Sequence, residues 1–152
     1  MAGSIVVGTD GSETAKVAVM EAIKIAKALG AELHVVSAYE ALQNAHVRGA
    51  PSGEGWQLRP DSVVESILDE AQSTVRMHGV DVTGHAVRHG PADALLEIAD
   101  QVDAEMIVVG SVGMHGAKRL SLGNVPNQIS HKARCHVLIV NTDRRSNGAA
   151  AS

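Results

Sequence analysis

Short runs of β-branched residues recur along this chain, and each is followed by a segment of helical period. "SIVVGTDGS" (Ser4–Ser12) carries Ile5, Val6 and Val7, then breaks at Gly8, Asp10 and Gly11. This reads as a buried strand followed by a turn. Ala15, Ala18, Val19, Ala22, Ile23, Ala26 and Leu29 then return at the spacing of an amphipathic helix over Glu13–Leu29. Ser12 stands where an N-cap belongs and Gly30 where a left-handed C-terminal residue belongs. "ELHVVSAY" (Glu32–Tyr39) is a second strand, so β-α-β is complete within the first 40 residues.

The same grammar continues after an interruption. Residues 40–60 hold Gly49, Pro51, Gly53, Gly55 and Pro60 and show neither period, which predicts a mobile loop; a lid over a pocket is the alternative. Asp61–His78 places Val64, Ile67, Leu68, Ala71, Val75 and His78 on one helical face, with Ser62 and Glu65 spaced as a capping box and Gly79 closing the helix. Val80–Arg88 is a weaker strand. Gly90-Pro91 opens a helix carrying Leu95, Leu96, Ile98 and Ala99, with proline in its first turn. Glu105–Gly110 is a fourth strand, Pro126–Ala133 a short helix and His136–Val140 a fifth strand. The strands are apolar almost throughout, as expected where helices cover both faces. The expected fold is therefore a single-domain, doubly wound α/β sheet, followed from Arg144 by a small, polar, disordered tail.

Composition excludes several classes. The chain has 152 residues, about one ordinary domain. No run reaches roughly the 18 apolar residues of a membrane span, and the N-terminus lacks a basic region followed by an apolar one, so no signal peptide is expected. A net charge of −4, one Tyr, one Trp and no Phe argue against nucleic acid or an anionic membrane as partner. The single cysteine, Cys135, cannot form an intramolecular disulfide and fits a reducing cytoplasm. It reads as a small buried hydrophobe. His85 and His89 fall on a strand and its following turn, and His131 and His136 straddle a helix-to-strand connection. Neither pair has metal-ligand spacing, so no metal site is expected.

The stretch with the most chemistry is "VVGSVGMHGAKRLSLGNV" (Val108–Val125). It is not a Walker loop, because Gly116 is followed by Ala117, and "GTDGSE" after the first strand is not the dinucleotide fingerprint. Yet Gly110 and Gly113 allow close backbone approach, and Gly123 precedes a short helix whose free N–H groups and dipole suit a phosphate. Asn124 is placed to cap that helix or to bond a ligand. Lys118 and Arg119 add positive charge. The alternative is a connection that binds nothing. In open α/β sheets ligands sit beyond the C-terminal strand ends where the strand order reverses. Gly8–Ser12 and Gly110 share one crevice if their strands are neighbours.

These residues resemble a family. Gly110-x-x-Gly113, nine residues, then Gly123-Asn124 resembles the G-x-x-G-x9-G-[ST] signature of the universal stress protein family. "IVVGTDGSETAKVAVMEAIKIA", "GPADALLEIADQVDAEMIVVGSVG" and "VPNQISHKARCHVLIVNT" resemble its opening, later half and end, so the likeness runs from Ser4 to about Thr142. The resemblance implies a family domain over residues 1–143 with an open, mainly parallel five-stranded sheet, Rossmann-like and similar to the adenine nucleotide alpha hydrolases, in a cytoplasmic homodimer of the stress response. It implies that the signature loop binds ATP or cyclic AMP, with magnesium accompanying a triphosphate. Thr9 and Asp10 would then lie near ribose or base, and Ala38 would offer backbone groups to adenine. Val109 and Gly110 would approach the ribose, and the N–H groups of Gly113, Met114, Gly123, Asn124 and Val125 would hold phosphates. Asn124 stands where the signature has Ser or Thr. The backbone donor survives that change and the hydroxyl does not, which leaves both nucleotides open.

The last strand, Val137–Val140, gives the dimer a physical route, since an apolar edge pairs readily with its own copy; the alternative is an edge covered by the tail. The function expected is a dimeric sensor or sequestering module acting on an unknown protein partner. The alternatives are an interaction protein with a non-functional pocket and a weak ATPase. For Asp10, capping the turn or bonding a ribose is preferred to ordering a hydrolytic water.

Overall fold

The computed structural model describes residues 3–39, 60–111 and 124–142. The order of elements is β1 (Ser4–Gly8), α1 (Glu13–Leu29), β2 (Glu32–Ala38), α2 (Pro60–Met77), β3 (Val82–Val87), α3 (Pro91–Val102), β4 (Met106–Gly110), α4 (Asn124–Lys132) and β5 (His136–Val140). The five strands form one sheet in the order β3-β2-β1-β4-β5, and all four pairings are parallel. The fold expected from the sequence is thus the fold observed, with the central position of β1 and β4 now fixed.

Strand alternation sorts the core into two layers. Ile5, Val7, Leu33, Val35 and Val108 point to one face, where Ala18, Val19, Ala22, Ile23 and Ala26 of α1 and Val64, Leu68 and Val75 of α2 meet them. Val6, Val36, Ile107 and Val109 point to the other face, against Ala92, Leu95, Ile98 and Ala99 of α3 and Ile129 of α4. Ile5, Ile23, Leu33, Ile107 and Ile129 are fully buried. Each such side chain contributes roughly 1.5–3 kcal/mol relative to staying in water. Among the described residues, β-branched, leucine and alanine side chains fill both layers, and Tyr39 packs against the first from its margin.

Local signals set most element ends. The Ser12 hydroxyl accepts the amide of Ala15 at 3.2 Å, and Gly30 at φ 67° hands its N–H to the last turn of α1. Pro91 begins α3 after Gly90, as its missing N–H allows. Two starts differ from expectation. α2 begins at Pro60, which is pre-set for a first helical position, so Ser62 lies inside the first turn and is not the N-cap. α4 begins at Asn124, two residues ahead of Pro126, because a proline in a first turn removes only a donor that has no helical partner. Asn124 is therefore the first helical residue and does not precede the helix. α3 ends on Asp103 at φ 54°, a left-handed C-cap built without glycine.

Of the loop expected over 40–60, residues 40–59 lie outside the described residues, as does the tail from Arg144, and Pro60 belongs to α2. Among the described residues, no helix is long and apolar enough to cross a membrane.

Candidate functional site

The chain leaves β1 through a turn that its own side chains build. The amide of Thr9 donates to the carbonyl of Val36 at 2.9 Å, carrying the pairing with β2 one residue past the strand. The Thr9 hydroxyl accepts the amide of Gly11 at 3.1 Å, and Asp10 Oδ1 accepts the amide of Ser12 at 2.9 Å. Gly11 completes the turn at φ 83°, a conformation that costs other residues a clash of Cβ with backbone. Ser12 then caps α1. This turn holds Asp10 exposed and Thr9 buried at the head of a 17-residue helix.

The register brings the other strand ends alongside. Val7 pairs with Val108 and Gly8 with Val36, so Thr9 lies level with Gly110 and Asp10 level with Ala38. From β1 the chain continues to β2 and β3 on one side, while β4 and β5 lie on the other. The gap above β1 and β4 is therefore the reversal point where ligands of such sheets bind. Val109 is buried beneath it and Gly110 is half-buried. Beyond Gly110 the amide of Ser111 donates to the carbonyl of Val140 at 2.8 Å, and the Ser111 hydroxyl accepts the amide of Thr142 at 3.2 Å. The exits of β4 and β5 are thus tied together at the crevice.

The far wall is partly set by connectivity. Only residues 133–135 separate α4 from β5, so α4 runs against the strand direction and its N-terminus lies at the C-terminal end of the sheet. Asn124 is exposed there, and Val125 packs on the layer formed by α3 and β4. Gly113, Met114 and Gly123, together with Lys118 and Arg119, lie outside the described residues. On the other side, Ala38 is half-buried, and the amide of Tyr39 donates to the carbonyl of Val87 at 2.9 Å. Ile67 of α2 closes on the first turn: a Cβ added at Gly11 would stand 3.1 Å from Ile67 Cγ1. Lys16 bridges Glu13 and Glu70 at 3.4 Å each, a second tie between α1 and α2.

Three contacts escaped the sequence reading: Gly11 under Ile67, Ser111 on Thr142, and a polar cluster that starts from Glu32 at the sheet's opposite end and reaches across to β3. That cluster joins Glu32, His34 and His85, and its one sequence signal was a histidine inside the apolar run "ELHVVSAY". Cys135 is half-buried, and burial raises its thiol pKa, in keeping with a packing role. His89 pairs with Glu97 at 3.3 Å. Among the described residues, no group of three or more His, Cys, Asp or Glu side chains could hold a metal ion.

With this geometry in place, likeness to known proteins carries weight. The model of the universal stress protein family matches residues 1–141. A universal stress protein of Mycobacterium tuberculosis is 34% identical over 141 residues, which is 91% of this chain and 96% of the relative. A solved universal stress protein in complex with cAMP is 34% identical, with 92% of this chain and 97% of that chain covered and a TM-score of 0.71. One from Archaeoglobus fulgidus in complex with dAMP is 25% identical, with 91% and 98% covered and a TM-score of 0.66. The match spans every element from β1 to β5, and this chain belongs to the universal stress protein family.

Proposed function

We propose that the chain binds an adenine nucleotide, cyclic AMP or ATP, in the crevice above β1 and β4, and acts as a homodimeric sensor or sequestering module in a stress response. The observation that carries this reading is the placement of Thr9 level with Gly110 and of Asp10 level with Ala38, at the ends of three adjacent parallel strands at the reversal point. Relatives bound to cAMP and to dAMP support the same ligand class. In this reading Thr9 and Asp10 lie beside the ribose, Ala38 offers its backbone to adenine, and Val109 and Gly110 allow close approach. Asn124 and Val125 present the N–H groups of α4 to phosphate, together with Gly113, Met114 and Gly123. Asp10 Oδ1 already supports the turn, which favours a binding role for this carboxylate over a base in hydrolysis. With no protein cage of carboxylates among the described residues, a magnesium ion would be held through the phosphates of a triphosphate.

Titration calorimetry with ATP, ADP and cyclic AMP tests the reading. Saturable heat is expected with at least one of them, and no heat with any of the three overturns it.

The dimer would form along β5. His136 donates its amide to Glu105 and Val140 accepts from Ser111, so the even-numbered residues of β5 face β4. Alternation then turns the backbone groups of Val137 and Ile139 to the open edge. A proline at position 139 removes an outward donor without touching the β4 ladder. The Ile139→Pro protein is expected to sediment as a monomer with an unchanged far-ultraviolet spectrum. A dimer of undiminished stability would place the interface elsewhere.

A further inference from the structure

The cluster of Glu32, His34 and His85 lies away from the crevice and no step of nucleotide binding uses it. His34 sits in β2 between Leu33 and Val35 and is 6% exposed. Alternation points it to the α3 face of the sheet. Its Nε2 is 3.0 Å from Glu32 Oε2, and its Nδ1 is 2.9 Å from Nε2 of His85 in β3. The Ser4 hydroxyl of β1 donates to the same Glu32 oxygen at 3.0 Å. The chain of bonds therefore crosses three strands. The two rings are tilted by 30° with centroids 5.1 Å apart. Among the described residues, every buried side-chain polar atom has a hydrogen-bond partner.

The donors and acceptors fix what this chain can hold. The Glu32 carboxylate only accepts, so His34 Nε2 carries a hydrogen. In the neutral cluster His34 Nδ1 is then a lone pair, and His85 donates to it from Nε2. One further proton is accommodated without breaking a bond. It forms an N–H at His85 Nδ1, while the hydrogen on His85 Nε2 passes to His34 Nδ1. The charge then rests on the ring bonded to Glu32, and His85 Nε2 becomes the acceptor. A second proton has no such place. On the histidines it sets two N–H groups face to face between two cations, and on Glu32 it removes the counter-charge.

We propose that Glu32, His34 and His85 form a proton-binding clasp that holds edge strand β3 to β2 while it carries no more than one added proton, and releases that strand on the second. β3 is the strand that such a clasp could free. Among the described residues it pairs with β2 alone, and His85 lies opposite Val36 in that pairing. The ionisable groups of the neighbouring elements are Asp93, Glu97 and Asp100 of α3 and Asp103 at its end, Glu105 before β4, Asp81 before β3, and Arg88 and His89 after it. Glu97 is engaged by His89. α2, with Glu65, Asp69, Glu70 and Arg76, packs on the opposite face.

The electrostatics agree in sign. Burial, and then the charge of His34, lower the pKa of His85 below its ordinary 6.5, and the bond from His34 lowers that of Glu32. A histidine whose folded pKa is depressed gives stability that is complete above about 6.5 and is lost as pH falls through the folded value. The carboxylate gives stability that is lost at lower pH still.

Amide hydrogen exchange on the full chain at pH 7.5 and pH 5, corrected for intrinsic rates, tests the clasp. Protection at Val82–Val87 is expected to fall at least tenfold more than protection at Met106–Gly110, and His85→Gln, which cannot titrate, is expected to abolish that difference. Equal acid sensitivity of the two strands, or an unchanged difference in His85→Gln, overturns the proposal. Should that variant fail to fold, nitrogen-15 spectra of the unaltered protein decide the matter. Two separated imidazole steps support the clasp, and two independent titrations with one midpoint overturn it.

Discussion

Replacing Gly11 by valine is expected to lower the free energy of unfolding by about 3 kcal/mol, from backbone strain of roughly 1–2 kcal/mol and overpacking of roughly 1–3 kcal/mol. Gly11 holds φ 83° because the turn must reverse between β1 and α1 within four residues, Thr9 to Ser12. A β-branched residue there brings its Cβ against its own backbone, and that same Cβ arrives 3.1 Å from Ile67 Cγ1. Urea denaturation separates the two costs. Gly11→Ala should lose about half as much, since it adds no γ carbons to an already tight contact. Ile67→Ala in the Gly11→Ala background should recover the packing part and leave the backbone part. If Gly11→Val were as stable as the parent, the turn would not be held as described. The loss would reach the crevice as well, because the amides of Gly11 and Ser12 are what fix Thr9 and Asp10.

The second large effect is in the sheet. Ile107→Ala is expected to cost about 3–4 kcal/mol, within the 2–5 kcal/mol typical of such core truncations. Ile107 is fully buried, pairs in register with Val6 and Val137, and shares its layer with Leu95, Ile98 and Ile129. A central strand covered by two helices cannot collapse into the space left behind. Ile107→Val should cost only about 1 kcal/mol, because one methylene is removed. Met77, 83% exposed at the end of α2, is the contrast: its alanine variant should stay within about 0.5 kcal/mol of the parent. A shift in the urea midpoint for Ile107→Ala no larger than that for Met77→Ala would show that the sheet centre is not the core.

How much of this was legible beforehand depends on the range of the interaction. α1 was readable to both ends because its signals are local: Ser12 caps, the alanines favour helix, and Gly30 takes the left-handed conformation. The β-branched runs announced all five strands for the same reason. The order β3-β2-β1-β4-β5 could not be read from any one segment, since neighbours in the sheet lie far apart in the chain. The glycine pattern and the turn after β1 pointed to the crevice, and family likeness supplied what the pattern alone left open. Residue pairs such as His34 with His85, 51 positions apart, leave no trace in local periodicity. Helix starts were misjudged where proline was the true signal: Pro60 overrode the Ser62 spacing, and Pro126 lay inside the first turn of its helix. Asp103 shows the converse, a left-handed cap closed by local bonds to the carbonyls of Ala99 and Asp100 on a residue that does not announce it.

The chain contains a single tyrosine, a single tryptophan and no phenylalanine, and the tyrosine is Tyr39, whose backbone is pinned to Val87 at the lip of the crevice. The near-ultraviolet signature of the molecule therefore comes from two rings rather than from an averaged interior. With Trp56 replaced by leucine, all remaining emission would come from the one phenol beside the expected adenine position. The scarcity of aromatic residues in the chain would then make the protein its own optical gauge of occupancy.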